Sequence, residues 1–426
     1  MSVRPRPGFL TLATAGALAG YGTTPAAAQQ DVQNQSVADR SRPDYTPEPI
    51  YVGGIAIEPT VVAGVQADNN IYARDDLKRG DALATLEPRV RATLDTGMLQ
   101  TTFDVRSFHA RYFSTAEENT DGFSAAGLAV YGDVTDTRVE GYLEYTNRSE
   151  DRSRIDSLTD TLVRGRYERS IARLGVRQRF GFLSLSGSAG VRRLDYPSVT
   201  DSNGVLQDYS NRNQTNWTLS GEANYSRSGQ SSFFVVGQYN RRLYDIRLGD
   251  PEFDRITDFD RSAHGYRLEV GYARQITSLL YLKAQVGILR FDFDDPLLPT
   301  ISGPAFDLSA LWNVTPLTSI QGSLRRSIDE SVGPDNAGIA RTELSVTVDH
   351  ELLRNLILSA DGRFADLSPA GDFSPSTEYD ARLSARYLVD RNWSIDGFAQ
   401  YLARDTESAS RNFNAVSAGV AVSYAF

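Results

Sequence analysis

Apolar and polar residues alternate with a period of two through most of the chain after residue 50. Eight runs show this clearly, with an apolar residue at every second position: residues 61–67, 88–94, 139–145, 217–225, 266–272, 280–288, 379–387 and 418–426. This period places successive side chains on opposite faces of a β-strand. The pattern therefore predicts an all-β protein whose strands each have one apolar and one polar face.

The connections between the runs alternate between short turns and longer polar loops. Short turns are expected near residues 96–97, 133–136, 181, 227–230, 275–278, 313–317, 351–355 and 389–391, and long loops near 68–81, 114–121, 148–159, 197–213, 244–260, 293–303, 329–338, 367–376 and 405–412. This is the layout of a transmembrane antiparallel up-and-down β-barrel with periplasmic turns and extracellular loops. Nine loops and eight turns predict eighteen strands. Residues 160–180 are interpreted as one strand, and a turn at Ser170 and Ile171 would make nineteen.

The N-terminus has the features of a secretory signal peptide. Arg4 and Arg6 precede an apolar run over residues 9–20, and three alanines follow at 26–28. The run is too short to span a bilayer as a helix, so cleavage after Ala28 is expected. Residues 29–50 are polar and proline-rich, which predicts a disordered periplasmic segment. Residues 51–426 then form the barrel, exported to the outer membrane of a Gram-negative bacterium.

The charge, the cysteine content and the mean hydropathy exclude several classes of function. Net charge is -10, and removal of the signal peptide, which has two arginines and no acid, makes it -12. Nucleic acid is therefore not an expected partner. The absence of cysteine excludes disulfides and thiolate metal sites. The mean hydropathy of -0.36 suits a barrel, because lumen-facing polar residues offset the lipid-facing apolar ones.

The polar face of each strand predicts which side chains line the lumen. An arginine facing lipid near the bilayer centre costs about 2 to 4 kcal/mol, so these side chains must meet water or partners. The lumen-lining candidates are Arg89, Arg91, Arg138, Glu140, Arg164, Arg166, Glu222, Arg267, Glu269, Arg341, Glu343, Asp361, Arg363, Arg382 and Arg386. Eighteen strands are wide enough for an aqueous channel. Interleaved charges of both signs favour a hydrated, hydroxyl-rich solute or polymer over one small ion.

A repeat with a spacing of 49 residues marks three strand ends. It reads Arg-Arg-Leu-Asp-Tyr at 192–196, Arg-Arg-Leu-Tyr-Asp at 241–245 and Arg-Phe-Asp-Phe at 290–293. Aromatics there are expected at the headgroup level, and the arginines at lipopolysaccharide phosphates or the mouth. The mouth or girdle candidates are Arg193, Tyr196, Arg242, Tyr244, Arg290 and Phe291. Repetition of a two-hairpin unit without a binding role is the alternative.

Catalytic and cofactor motifs are missing: the chain has no GxSxG, HExxH or Walker sequence. A barrel that hydrolyses lipids needs a serine and a histidine side by side on its outer face. His109 has lumen parity in this interpretation, His350 lies beside a short turn, and His264 is the third histidine. The sequence therefore predicts a channel and not an enzyme, without cofactor or metal. Aspartates 250, 254, 258, 260, 292, 294 and 295 could collect calcium, but solvated loop acids are the expected state.

The C-terminal strand ends in Val422, Tyr424 and Phe426 at alternate positions. An alternating apolar strand with a terminal aromatic residue resembles the signal by which the barrel-assembly machinery recognises outer-membrane proteins.

The segment from Arg42 to Asp133 also resembles a known family. It contains Arg-Pro-Asp-Tyr-Thr-Pro-Glu-Pro-Ile at 42–50, Gly54, Pro59, Asp-Asn-Asn-Ile-Tyr-Ala at 68–73, Asp81, Leu-Glu-Pro at 86–88 and Arg-Tyr-Phe at 111–113, and Ser-Glu-Asp-Arg follows at 149–152. This order is similar to the putative β-barrel porin 2 family, outer-membrane barrels linked to exopolysaccharide synthesis.

The resemblance implies an eighteen-stranded barrel that carries nascent polysaccharide across the outer membrane, taking it from a periplasmic export protein. It implies no catalytic residue. A general or small-solute porin fits the strand count equally well, and gene neighbours would discriminate the two. An adhesive barrel and a membrane-anchored enzyme are weaker alternatives.

Overall fold

The chain forms twenty-one β-strands in a computed structural model that describes residues 35–133, 136–154, 164–200, 205–227, 229–253, 259–329, 336–371, 374–407 and 411–426. The strands are β1 Ile50–Val52, β2 Ile55–Asp68, β3 Asp81–Asp95, β4 Leu99–Tyr112, β5 Thr120–Gly132, β6 Thr137–Ser149, β7 Arg166–Phe180, β8 Leu183–Asp195, β9 Val199–Thr200, β10 Leu206–Gln207, β11 Gln214–Tyr225, β12 Ser231–Tyr244, β13 Ala263–Thr277, β14 Leu280–Phe293, β15 Ile301–Thr315, β16 Thr318–Asp329, β17 Asn336–Leu353, β18 Leu356–Gly371, β19 Ser376–Leu388, β20 Trp393–Thr406 and β21 Phe413–Ala425.

Eighteen of these strands, β2 to β8 and β11 to β21, form a closed antiparallel barrel in which each pairs with its neighbours in sequence. The last strand returns to the first, and β21 pairs with β2 over Thr60–Asp68. Closure gives both backbone edges of every barrel strand a partner, which a lipid environment requires. The predicted barrel and its eighteen strands are confirmed, and β7 is a single strand from Arg166.

Smaller elements decorate the two ends. Strand β1 forms a hairpin with β2 at the end that carries the short turns, and β9 pairs with β10 in a long loop at the other end. Single 3-10 turns occur at Pro43–Tyr45, Ala116–Glu118 and Ser210–Arg212. In the described part of the chain, no helix has the length and apolar character needed to cross a membrane.

The outer wall is apolar and exposed. Leu143, Leu174 and Leu383 are 65%, 62% and 64% exposed, although they lie in the middle of regular strands. Contiguous exposed apolar surface of this extent indicates contact with another apolar phase. The alternation of the sequence thus becomes a lipid-facing wall around a polar interior.

Buried apolar clusters occur at the loop end of the barrel instead of in a central core. One contains Ala263, Phe291, Ile301 and Ala340, and another contains Leu194, Tyr196 and Tyr209. The first cluster is built from inward-facing ends of neighbouring strands. The second brings Tyr196 and Tyr209 of the β8–β11 loop onto Leu194, and this packing holds part of that loop against the inner wall.

Candidate functional site

The inner wall carries most of the residues predicted to line the lumen. Strand pairing and the exposure of alternate residues place thirteen of them at inward positions: Arg89, Arg91, Arg138, Glu140, Glu222, Arg267, Glu269, Arg341, Glu343, Asp361, Arg363, Arg382 and Arg386. Their opposite-parity neighbours, such as Leu383 and Val90, are exposed on the outside.

Arginines of the inner wall pair with carboxylates on the same strand, on a neighbouring strand or, for Arg341 and Glu378, two strands away. The pairs are Arg91–Asp104 (3.2 Å), Arg138–Glu140 (3.6 Å), Arg169–Glu144 (2.5 Å), Arg267–Glu269 (2.7 Å), Arg341–Glu378 (3.0 Å), Arg363–Asp380 (2.8 Å) and Arg386–Asp396 (2.7 Å). Arg89 also binds Asp104. In these pairs each guanidinium lies next to an acid, so the two signs compensate locally. Arg382 instead donates to the Gln400 side chain at 3.2 Å and lies over the Phe398 ring. The described part of the wall is thus highly polar and carries charges of both signs.

Hydroxyl groups fill positions between these ion pairs. Ser188 and Ser220 hydroxyls lie 2.7 Å apart, as do those of Ser323 and Ser345. Thr347 donates to Asp361 at 2.7 Å. A hydroxyl can both donate and accept, so these groups can exchange their mutual bonds for bonds to a passing solute.

Three charged residues at the loop end form a mouth cluster: Glu118, Arg152 and Arg164. The Glu118 carboxylate is fully buried and accepts from Arg152 Nη2 at 2.6 Å and from Arg164 Nε at 2.7 Å. Charge-assisted bonds from two guanidiniums offset the desolvation of the buried acid. The mouth cluster ties the β6–β7 loop to the β4–β5 loop.

Arg164 and Arg166 differ from their predicted lumen-wall positions. Arg164 precedes β7 and belongs to the mouth cluster, and Arg166 faces outward, where it donates to the Asn147 side chain at 2.8 Å. Tyr167 takes the inward position and contacts Tyr196. The sequence pattern placed Arg166 inward and Tyr167 outward because it assigns the apolar side chain to lipid, whereas Tyr167 faces the interior.

The described start of the β6–β7 loop, residues 150–154, reaches over part of the mouth. Arg404, an inward residue of β20, pairs with Glu378 at 2.7 Å and also donates to the Ser153 carbonyl. Strand β20 lies six strands from β6 around the closed sheet. Arg212 of another loop donates to Glu150 at 3.0 Å. Residues 150–153 are thus held by side chains from two sides of the opening, and they narrow it.

Asp151 lies in this loop and is buried. Removal from water raises the pKa of its carboxyl above the usual range, although the Ser153 backbone N–H donates to it at 2.9 Å and favours the ionised form. The loop therefore contains an acid that gains a proton more readily than a solvated aspartate.

The aromatic residues of the 49-residue repeat do not form a headgroup girdle. Tyr196, Tyr244 and Phe291 are buried on the inside, and the Arg242 guanidinium lies 4.9 Å from the centre of the Phe291 ring. The girdle prediction was wrong for these three because the loops fold inward and give apolar groups a dry interior surface there.

The outward arginines of the repeat pair with acids at the outer rim. Arg193 Nη2 lies 2.5 Å from both Asp195 and Asp245, and Arg290 Nη2 lies 2.6 Å from Asp292. Within the described residues, no group of three histidines, cysteines or acids is arranged to hold a metal ion. Asp254 and Asp258 lie outside the described residues.

Of the segment 29–50 predicted to be disordered, the structure describes residues from 35 onward, and these are folded; residues 1–34, with the predicted signal peptide, lie outside the described residues. Val37 is fully buried, and its N–H donates to Ser319 Oγ at 2.8 Å. Arg42 Nη2 pairs with Glu351 at 2.8 Å. Ser319 and Glu351 are inward residues next to short turns, so the segment fills part of that end of the lumen.

His109 was predicted to face the lumen but faces outward. It pairs with Leu86 on β3 and Asp121 on β5, and Leu86 is exposed with the outer wall. The inward positions beside it belong to Phe108 and Ala110, which are buried. Apolar residues point inward here because the loops fill the mouth.

The C-terminal strand closes the barrel at the short-turn end. Val422 and Tyr424 face outward, and the Tyr424 ring centroid lies 4.5 Å from Trp393 and 4.7 Å from Phe426. The Phe426 N–H donates to the Pro59 carbonyl at 3.1 Å. Recognition of these residues by an assembly machinery stays a prediction.

Sequence reasoning missed several residues of the mouth. Glu118, Arg212, Arg404 and Glu378 lie in loops or near strand ends, where parity does not identify partners. The Ser-Glu-Asp-Arg sequence at 149–152 was the available signal, since it supplies Glu150, Asp151 and Arg152.

The chain is similar to several solved structures and matches one family model. It is similar to the copper transporter OprC (12% identity, TM-score 0.45, 86% of this chain and 64% of that one), so it spans less than two thirds of that protein. It is also similar to the siderophore receptor PirA from Acinetobacter baumannii (8% identity, TM-score 0.46, 87% and 80%) and to OpdL from Pseudomonas aeruginosa (8% identity, TM-score 0.45, 88% and 99%). No curated protein sequence matches the chain. The family model described as putative beta-barrel porin 2 matches residues 42–426, and the chain therefore belongs to this family of β-barrel porins.

Proposed function

We propose that the barrel is a passive conduit through which exopolysaccharide leaves the cell. The observation that carries this proposal is the inner wall of compensated Arg–carboxylate pairs and hydroxyls. Such a wall offers donors and acceptors to the hydroxyls of a hydrated polymer at every level. Charges of both signs, alternating as in these pairs, do not favour the retention of one small ion. Transport along this wall needs no catalysis and no cofactor.

An eighteen-stranded barrel of this porin family belongs in the outer membrane of a Gram-negative bacterium. In our proposal, the signal peptide over residues 1–28 directs export and the barrel-assembly machinery recognises the C-terminal strand. The short turns then face the periplasm, where a polysaccharide export protein without its own outer-membrane span delivers the polymer. The outward arginines at the loop end meet lipopolysaccharide.

A general or small-solute porin is the second candidate. The β6–β7 loop favours it, because Arg404 and the mouth cluster hold that loop across part of the opening. Small solutes can pass beside a fixed loop. A polymer requires that the loop and the N-terminal segment leave the pathway.

Deletion of the gene tests both candidates. Polysaccharide at the cell surface and in the medium is measured together with uptake of small hydrophilic solutes, and a plasmid copy of the gene serves as the control. Loss of exported polymer with unchanged uptake supports the conduit. Persistent polymer with reduced uptake supports the small-solute porin and refutes the conduit.

A further inference from the structure

A serine, a histidine and an aspartate lie in hydrogen-bonded sequence on the outer face of the barrel. His109 Nδ1 is 2.6 Å from Asp121 Oδ1, and His109 Nε2 is 3.2 Å from Ser107 Oγ. Ser107 and His109 share the outward face of β4, and Asp121 is the cross-strand neighbour of His109 on β5. This is the arrangement of nucleophile, general base and orienting acid that activates a serine.

The three side chains are held by regular strands, which fix their spacing. Residues two apart on a strand point to the same face, so Ser107 and His109 must be neighbours. Arg111 is the next outward residue, and its Nη2 lies 2.7 Å from the same Asp121 oxygen. Arg111 therefore restrains the carboxylate that orients the imidazole.

The position of the triad relative to the apolar wall indicates what it would meet. On β3, the large outward apolar side chains run from Leu94 to Leu86, only alanines follow them toward the loops, and His109 pairs with Leu86 at the end of this stretch. Eight residues of strand tilted by about 40° span roughly 20 Å, close to the height of a lipid-facing band. The triad thus lies where acyl chains join their headgroups.

An apolar groove begins below the triad on the same outer surface. Phe103, four residues from Ser107 on the outward face of β4, borders a groove of about 640 Å³ that continues along Gly127, Gly141 and Leu143 to Trp217. The separation of Phe103 from Ser107 is about 13 Å along the strand. Glycines make the wall concave there, and a long acyl chain could lie along it.

We propose that Ser107, His109 and Asp121 form a hydrolase site for fatty-acyl esters of the outer leaflet. Ser107 Oγ attacks the ester carbonyl while His109 Nε2 takes its proton and passes it to the leaving alcohol. Water, deprotonated by His109, then cleaves the acyl-serine and releases the fatty acid. Ester and water become acid and alcohol, and the residues return to their starting state.

Arg111 would contribute to substrate binding. It is 49% exposed, lies two outward positions nearer the loops than Ser107, and carries a cation at the headgroup level. An anionic phosphate there would leave the acyl ester closer to Ser107. Phospholipids and acylated lipopolysaccharide both offer this chemistry.

The experiment uses the purified full barrel in mixed micelles. A fluorophosphonate probe is expected to label the wild-type protein and Ser302→Ala, which removes another outward, exposed serine on β15. It is expected not to label Ser107→Ala. His264, which lies 3.9 Å from Asp292 on the outer face, supplies the matched control His264→Asn for His109→Asn.

Fatty acid release is followed by mass spectrometry in H₂¹⁸O, separately with phosphatidylethanolamine and with acylated lipid A. Incorporation of one ¹⁸O into acid released from either lipid supports the proposal and identifies the source. Ser107→Ala, His109→Asn and Asp121→Asn should each reduce release by about 10³-fold or more. Each variant must retain the heat-dependent gel shift of a folded barrel. Absence of labelling and of release from both lipids, or full activity of the folded Ser107→Ala variant, overturns the proposal.

Discussion

Replacement of Arg42 by alanine should release the N-terminal segment from the lumen. Arg42 is buried and donates to Glu351 at 2.8 Å and to the Val37 carbonyl at 2.9 Å. Removing one partner of a buried ion pair costs about 3 to 5 kcal/mol. Arg354, 3.9 Å from Glu351, offers the acid a partial replacement, so the lower value applies. A loss of about 3 kcal/mol shifts the docking equilibrium by about 10²-fold.

The assay measures the accessibility of an introduced thiol, and no other thiol reacts because the chain has no cysteine. Val37 is fully buried in the docked segment, so maleimide reacts with Val37→Cys only when the segment undocks. Labelling in the barrel with Arg42→Ala should be about 10²-fold faster than with Arg42 present. Arg391 supplies a matched control, since it pairs with Glu48 at the same end while both side chains are more than half exposed. Arg391→Ala should change the rate by less than about fivefold.

Equal labelling rates with and without Arg42 would refute the reasoning, because the ion pair would then contribute nothing to docking. Single-channel conductance adds a functional measure. If the segment restricts the lumen, Arg42→Ala should show larger or more frequent open levels than Arg391→Ala. The heat-dependent gel shift checks that each variant still forms the barrel.

Four other changes test the mouth, the wall and the C-terminal strand. Burial raises the pKa of Asp151, so the folded loop binds a proton more tightly than an unfolded loop, and its stability falls as pH rises above the usual aspartate pKa. Acidification from pH 7 to about 4 should therefore stabilise the folded loop over the mouth. It should increase the frequency of channel closures in the wild type but not in Asp151→Asn. Glu118→Gln leaves Arg152 and Arg164 without their buried acid and should accelerate tryptic cleavage of the β6–β7 loop at least tenfold. A Cβ on Gly287 would lie 1.9 Å from the Leu268 carbonyl oxygen, so the strands must shift to accept it. Gly287→Ala should lower the free energy of unfolding, measured in urea, by at least about 1 kcal/mol. Removal of Phe426 should reduce the amount of folded barrel in outer-membrane fractions at unchanged synthesis, and an unchanged amount would argue against an assembly signal.

The sequence by itself determined the barrel and the two faces of its middle section. Leu383 and Arg382 occupy adjacent positions on β19, and lipid accepts only the first of them. Because the bilayer surrounds every strand at this level, hydrophobicity alone decides which side chain faces outward. The short turns and long loops then set the strand count without any long-range information.

Only the tertiary structure decided the arrangement of the two ends. Phe108, Tyr167 and Phe291 face inward although they are apolar, and His109 and Arg166 face outward although they are polar. The prediction that polar residues face inward assumes a lumen filled with water. At the mouth, loop residues pack on the inner face of the strand ends. At the short-turn end, the segment from residue 35 packs there in the same way. Beyond the lipid-facing band, the outer surface of the barrel meets water and is polar. Which face is dry there depends on contacts between residues far apart in the chain, such as Arg42 with Glu351 and Arg404 with Ser153, and a period of two carries no information about them.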